Sequence, residues 1–180
     1  MQPIAWPFIA IEALEAGMLT FRELRRFHEA VYPGIWVPRG AELSPVRRAR
    51  AAWLWSGRRA VLSGLSASAL HGSKWIEPET AADVVHRNRR PPPLITVRGD
   101  LLLDGETGQA DGLPVTTAAR TAFDIGRRLT VPAAVPRIDA LMNATGVTVE
   151  QVMAVAAAHR GVRGLRSLGQ ALSLVDGGAE

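Results

Sequence analysis

The sequence predicts an α+β fold: an N-terminal winged helix-turn-helix-like unit, a small mixed sheet packed with helices, and a C-terminal helical run. Three observations predict it. Helix-start signals and a Pro-Gly hairpin signal occur before residue 44. Short apolar runs bounded by Gly, Pro and polar residues recur between residues 60 and 116. From Thr117 onward apolar residues recur at helical spacing.

Pro7 to Gly17 reads as a short helix. Pro7 suits a first turn, Phe8, Ile11 and Leu14 form an apolar stripe, and Gly17 stops it. Thr20 is the N-cap of a second helix, Phe21–Arg26, and Glu23 three residues later completes a capping box. Phe27–Tyr32 and Ile35–Pro38 read as extended runs joined by Pro33-Gly34, a hairpin signal. Two short helices followed by a small hairpin outline a winged helix-turn-helix. A soft boundary at Gly40–Ser44 divides the chain into residues 1–43 and 44–180.

Ser44 then caps a helix with Pro45 in its first turn, carrying Val46, Ala49, Ala52, Trp53 and Leu54 inward. Ala60–Leu62 is a buried strand, and Ser66–His71 a short helix ended by Gly72. Ser63, Ser66 and Ser68 serve capping and close packing. Ala81–Val85, Leu94–Arg98 and Leu101–Leu103 read as strands, the last two joined by a hairpin around Gly99-Asp100. Asp104–Gly112 is a polar turn region and Leu113–Thr116 the last strand. Helices follow over Thr117–Leu129, Val131–Thr145, Thr148–Ala158 and Arg163–Val175.

At 180 residues and 47% hydrophobic, the chain can bury a substantial core. It has no cysteine, which excludes disulfides and thiolate metal sites and fits a reducing cytoplasm. The N-terminus has no basic n-region or small-residue cleavage site, and Glu12 and Glu15 interrupt its apolar run. No signal peptide is therefore expected. No apolar run reaches the roughly 18 residues of a membrane-spanning helix. Four well-separated histidines, no phosphate-cradling glycine loop, no GxSxG elbow, and scattered carboxylates beside a single lysine, Lys74, point to no metal, cofactor or catalytic role.

The net charge is +4, and nearly all of the positive charge is arginine. An Ala-, Gly- and Val-rich composition marks a high-GC genome, which raises arginine everywhere, so clusters carry more information than the total. The clusters are Arg22/Arg25/Arg26, Arg47/Arg48/Arg50, Arg58/Arg59, Arg87/Arg89/Arg90 and Arg127/Arg128. On the second helix, Thr20, Arg22, Arg25 and Arg26 are the DNA-binding candidates, with Arg39 beyond the hairpin wing. Arg47, Arg48 and Arg50 form a possible secondary basic surface.

The stretch Leu113–Arg128, LPVTTAARTAFDIGRR, holds no evident catalytic chemistry. Thr116 and Thr117 read as helix caps. Arg120 and Asp124, four apart, share one face and can pair. With the cation first that pair is weak on an isolated helix, which points to tertiary partners.

Residues 7–26 (PFIAIEALEAGMLTFRELRR), 34–40 (GIWVPRG), 60–76 (AVLSGLSASALHGSKWI) and 112–128 (GLPVTTAARTAFDIGRR) together resemble AbiEi-like antitoxins of type IV toxin–antitoxin systems, in an actinobacterial branch. The resemblance runs from about Pro7 to Glu180. It implies an N-terminal winged-helix-like domain that binds the operon's own promoter, and a C-terminal α/β domain that counters a nucleotidyltransferase-like toxin. Members of this branch commonly continue past a GAE-type segment into a very-short-patch-repair-like endonuclease domain, whereas here the sequence stops at Glu180. Glu180 is then the stub of such a domain, and the alternative expectation is a non-catalytic, protein-binding remnant of a nuclease-fused protein.

Overall fold

The computed structural model describes residues 4–88 and 90–176. Arg89 and the terminal Glu180 therefore lie outside the described residues. The fold is mixed α+β, with a three-stranded and a five-stranded sheet.

Capping signals place the helices where the sequence expects them. The Thr20 hydroxyl accepts from the Glu23 amide and the Glu23 carboxylate accepts from the Thr20 amide, which starts α2 (Phe21–Phe27). Ser44 accepts from the Arg47 amide at the head of α3 (Pro45–Trp55). Thr117, not Thr116, caps α5 (Ala118–Arg128). A left-handed Gly146 ends α6 (Val131–Thr145), and a Thr148/Gln151 capping box starts α7 (Val149–Ala158). The last helix, α8, spans Leu165–Asp176.

The expected Pro7–Gly17 helix is shorter. Phe8–Ile9 forms strand β1, and α1 covers only Ala10–Glu15. The cause is long-range: Phe8 and Ile9 pair antiparallel with Trp36 and Ile35 of β3 (Ile35–Pro38). On its other side β3 pairs with β2 (His28–Tyr32), giving the order β1-β3-β2.

The second sheet has the order β6-β5-β4-β8-β7, built from β4 (Val61–Leu62), β5 (Ala82–Val85), β6 (Ile95–Arg98), β7 (Thr107–Ala110) and β8 (Leu113–Thr116). The expected Gly99-Asp100 hairpin does not form. β6 instead runs parallel to β5, and residues 101–103 are not a strand. They are diverted because the Leu101 carbonyl accepts from Arg120 and the Leu103 amide donates to Glu106. The expected turn region over residues 104–112 holds strand β7, paired antiparallel with β8. Its two-residue connection, Asp111-Gly112, has φ of 50° and 70°. That geometry suits an Asp-Gly type I′ turn, the tightest closure for an antiparallel pair.

Helix α4 (Gly64–Leu70) starts two residues earlier than expected, and its serines do not cap it. The Ser66 hydroxyl instead accepts from the Asp83 amide of β5. Ser66 thus ties helix to sheet.

Two cores result. One joins α3, α4 and the five-stranded sheet, and includes Tyr32 and Ile35 of the hairpin, so it crosses the Gly40–Ser44 segment. The other lies among α5, α6, α7 and α8 around Phe123, Ile138, Leu141, Leu168 and Leu172. Each such buried side chain contributes about 1.5–3 kcal/mol. α5 is the central helix. A Cβ on Gly126 would lie 2.4 Å from a Leu168 methyl, so the small residue sets the approach of α8. Among the described residues no helix is long and apolar enough to cross a membrane.

Candidate nucleic-acid interface

α2 is anchored by one buried residue. Leu24 is 2% exposed and packs with Phe8, Ala10, Ala13 and Leu19. At 3.6 residues per turn, Arg22, Arg25 and Arg26 fall on one face roughly opposite Leu24. All three are exposed, and no carboxylate among the described residues pairs with them. Arg25 lies over the Phe21 ring at 5.0 Å and Arg26 over the Phe27 ring at 5.1 Å. Both rings are themselves largely exposed. The aromatic faces steady the guanidinium groups without neutralising them. Arg25 and Arg26 also sit in the last turn, where positive charge complements the helix dipole.

Arg39 has a different job from its neighbours. Its guanidinium donates to the Arg25 carbonyl at 2.9 Å and the His28 carbonyl at 3.2 Å. It therefore braces the end of α2 against the hairpin. The Glu29 carboxylate accepts from the Gly40 amide at 2.9 Å and holds the base of the same hairpin.

The Pro33-Gly34 turn, the expected wing, is tied to the body of the protein at its base. Tyr32 and Ile35 on either side are buried, and the Gly34 carbonyl accepts from the Ala10 amide at 3.0 Å. The turn is held by the body of the protein because its flanking apolar residues belong to the shared core.

The secondary basic surface is dispersed in the same way. Arg47 stacks on Trp6 at 3.6 Å, Arg48 donates to the Pro78 carbonyl at 2.9 Å, and Arg50 pairs with Asp111 at 3.0 Å. Positions 47, 48 and 50 of α3 thus point their side chains to three separate neighbours.

The signature stretch gathers a buried ionic cluster. Arg120, 1% exposed, donates to Asp124 at 3.1 Å, to the Leu101 carbonyl at 2.9 Å and to Glu106. His159 Nε2 lies 2.6 Å from the second Glu106 oxygen. Arg127 and Arg128 bridge Asp124 and Asp100. Burial pushes the Glu106 carboxyl up, but the Leu103 amide, His159 and Arg120 outweigh it and hold the pKa below the ordinary value. Asp100 shows the same balance: burial raises it, and Arg128 and Arg127 bring it below the usual carboxylate range. Thr116 bonds the Thr121 hydroxyl at 2.7 Å, and its carbonyl accepts from His71 at 2.8 Å. Arg120, Asp124 and Glu106 are closed to solvent while Asp100 is partly exposed, and the cluster ties α5 to the 100–106 segment and to α7.

Sequence reasoning found Arg120 and Asp124 but missed Glu106, His159 and Asp100. The one available signal was an arginine in an apolar helix stripe, which demands a buried counter-charge. Its partners lie 14 and 39 residues away, beyond any local pattern. Among the described residues no group of three or more His, Asp or Glu side chains is placed to hold a metal ion. No family model matches the chain, and no curated protein matches it.

Proposed function

We propose that this chain binds DNA through α2 and acts as an AbiEi-like antitoxin and autoregulator of its own promoter, without catalysis of its own. One observation carries the reading: Arg22, Arg25 and Arg26 form an exposed, unneutralised face on a helix whose start is fixed by a capping box. Three such cations release counterions when they meet phosphates, and a helix with arginines along one face fits a major groove. The order of α1, α2 and the β2–β3 hairpin supports a winged-helix-like unit, with Arg39 as the brace behind the recognition helix. The bound turn at Pro33-Gly34 makes α2, not a wing, the principal contact.

The resemblance over residues 7–26, 34–40, 60–76 and 112–128 extends the proposal to a cytoplasmic antitoxin countering a nucleotidyltransferase-like toxin. A mobility-shift titration with the gene's own upstream region at two salt concentrations tests the DNA reading. Replacing Arg22, Arg25 and Arg26 together with alanine is expected to weaken binding and flatten its salt dependence, by up to about 0.9 in log–log slope per lost phosphate contact. Unchanged affinity and slope overturn the assignment.

A further inference from the structure

The parallel pair β5 and β6 ends at Val85 and Arg98, and the chain leaves both strands in the same direction. A crevice lies beyond the carboxyl ends of these two strands. Here the crevice is a cleft of about 930 Å³ lined by Arg59, His86, Arg87, Asn88, Asp100 and Leu101. A second hollow of about 530 Å³ shares His86, Gly99 and Asp100 with it and adds the apolar surfaces of Pro91 and Val97.

Nearly every polar group at this cleft is a donor. Arg87 is exposed, and no carboxylate among the described residues pairs with it. Arg59 spends its Nε on the Ser56 carbonyl and keeps its remaining nitrogens. The Asn88 amide donates to His86 Nδ1 at 3.1 Å, which leaves the His86 proton on Nε2. Burial and the charge of Arg59 hold the His86 pKa below its ordinary value, so the ring is neutral at neutral pH. The single lining carboxylate, Asp100, is already taken by Arg127 and Arg128.

Behind the lining, positive charge is in excess. Burial lowers the Arg128 pKa against the pull of Asp124 and Asp100, and Arg127 and Arg98 add repulsion. Arg128 Nη1 and Arg98 Nε are buried without a hydrogen-bond partner. Among the described residues Arg98 approaches Asp83, Arg127 and Arg128 bridge Asp100 and Asp124, and Arg59 and Arg87 pair with no carboxylate. Burial pushes the Asp83 carboxyl above its ordinary value against the pull of Arg98 and Arg128.

We propose that this cleft binds a phosphate-bearing small molecule of nucleotide size. Arg59, Arg87 and the His86 Nε2–H meet the phosphates, and Leu101 (70% exposed), Pro91 and Val97 offer apolar surface to the organic part. The volume exceeds what inorganic phosphate fills and suits a mononucleotide. The site is distinct from the α2 face and does not depend on the DNA reading.

The test is calorimetric titration of the full chain with ADP, with adenosine and with a short DNA duplex, paired with amide NMR shifts at residues 86–88 and 99–101. ADP is expected to bind with Kd below about 1 mM, and adenosine at least about tenfold more weakly. The R59A/R87A double variant, altering two exposed side chains, is expected to lose about tenfold in ADP affinity with an unchanged melting temperature. The duplex is expected to leave bound ADP in place. Absence of saturable ADP binding, equal binding of adenosine, or full affinity in the double variant overturns the proposal. Displacement of ADP by the duplex also overturns it and assigns the cleft to a nucleic-acid backbone.

Discussion

Helices α2 and α5 each carry three arginines, and the protein treats the two sets in opposite ways. On α2, Arg22, Arg25 and Arg26 stand exposed, steadied by phenylalanine rings but paired with no carboxylate among the described residues. On α5, Arg120, Arg127 and Arg128 are almost wholly withdrawn from water and held by Asp100, Glu106 and Asp124. The residue type is the same. The difference is whether distant segments bring carboxylates to it. Paired arginines in the interior organise the fold, because leaving any member alone strands a buried charge. Unpaired arginines on a surface keep their charge available for a polyanion. Arginine abundance in this sequence therefore says little until each guanidinium's partners are known.

The largest expected effect is at Arg120. Arg120→Ala strips the buried Glu106 of its arginine and leaves Asp124 to Arg127 and Arg128 alone, and is expected to cost about 3–5 kcal/mol in denaturant unfolding. A loss below about 1 kcal/mol breaks the contrast, since it makes the cluster dispensable.

Acid sensitivity sharpens the same point. Glu106 and Asp100 have depressed folded-state pKa values, so the stability they supply is present above the ordinary carboxylate range. It drains away as pH falls through that range and below it. Asp83, with a raised pKa, acts in the opposite sense and offsets part of the loss. Thermal melts from neutral pH down to about pH 3 should show falling stability in the native chain and a shallower fall in Glu106→Gln. Parallel profiles for the two proteins contradict the assignment of Glu106.

A smaller change is expected at the head of α2. Thr20→Ala removes half of the capping box and should cost about 1 kcal/mol, read as a lowered denaturant midpoint, with weaker DNA binding as α2 frays. The smallest stability effect belongs to the triple alanine variant of Arg22, Arg25 and Arg26, within about 0.5 kcal/mol of the native chain. That variant should nevertheless lose the most DNA affinity. A large stability loss there shows that the α2 arginines are structural after all.

Local chemistry was legible in the residues themselves. Thr20 with Glu23, Ser44 with Pro45, Thr117 and Gly146 each mark a helix boundary through bonds that span three or four residues, and α2, α3, α5 and α6 stand within a residue of where those signals put them. The Asp111-Gly112 signal for the β7–β8 hairpin was also present but unread in a stretch of polar residues. By contrast, nothing local marks Phe8-Ile9 as a strand. They are one because Trp36 and Ile35 offer an edge. Leu101–Leu103 has the composition of a strand and is not one, because its backbone is claimed by Arg120 and Glu106.

The same division runs through the candidate sites. Sequence by itself determined the α+β class, the helix starts, the arginine face of α2 and the Arg120–Asp124 spacing, all set by interactions within one helical turn. Only the tertiary structure decided which arginines are neutralised, that the Pro33-Gly34 turn is held down, and that the ends of β5 and β6 open a donor-lined cleft. Those outcomes depend on residues far apart in the chain, where the cost of burying a charge is met by a partner that no local pattern can name.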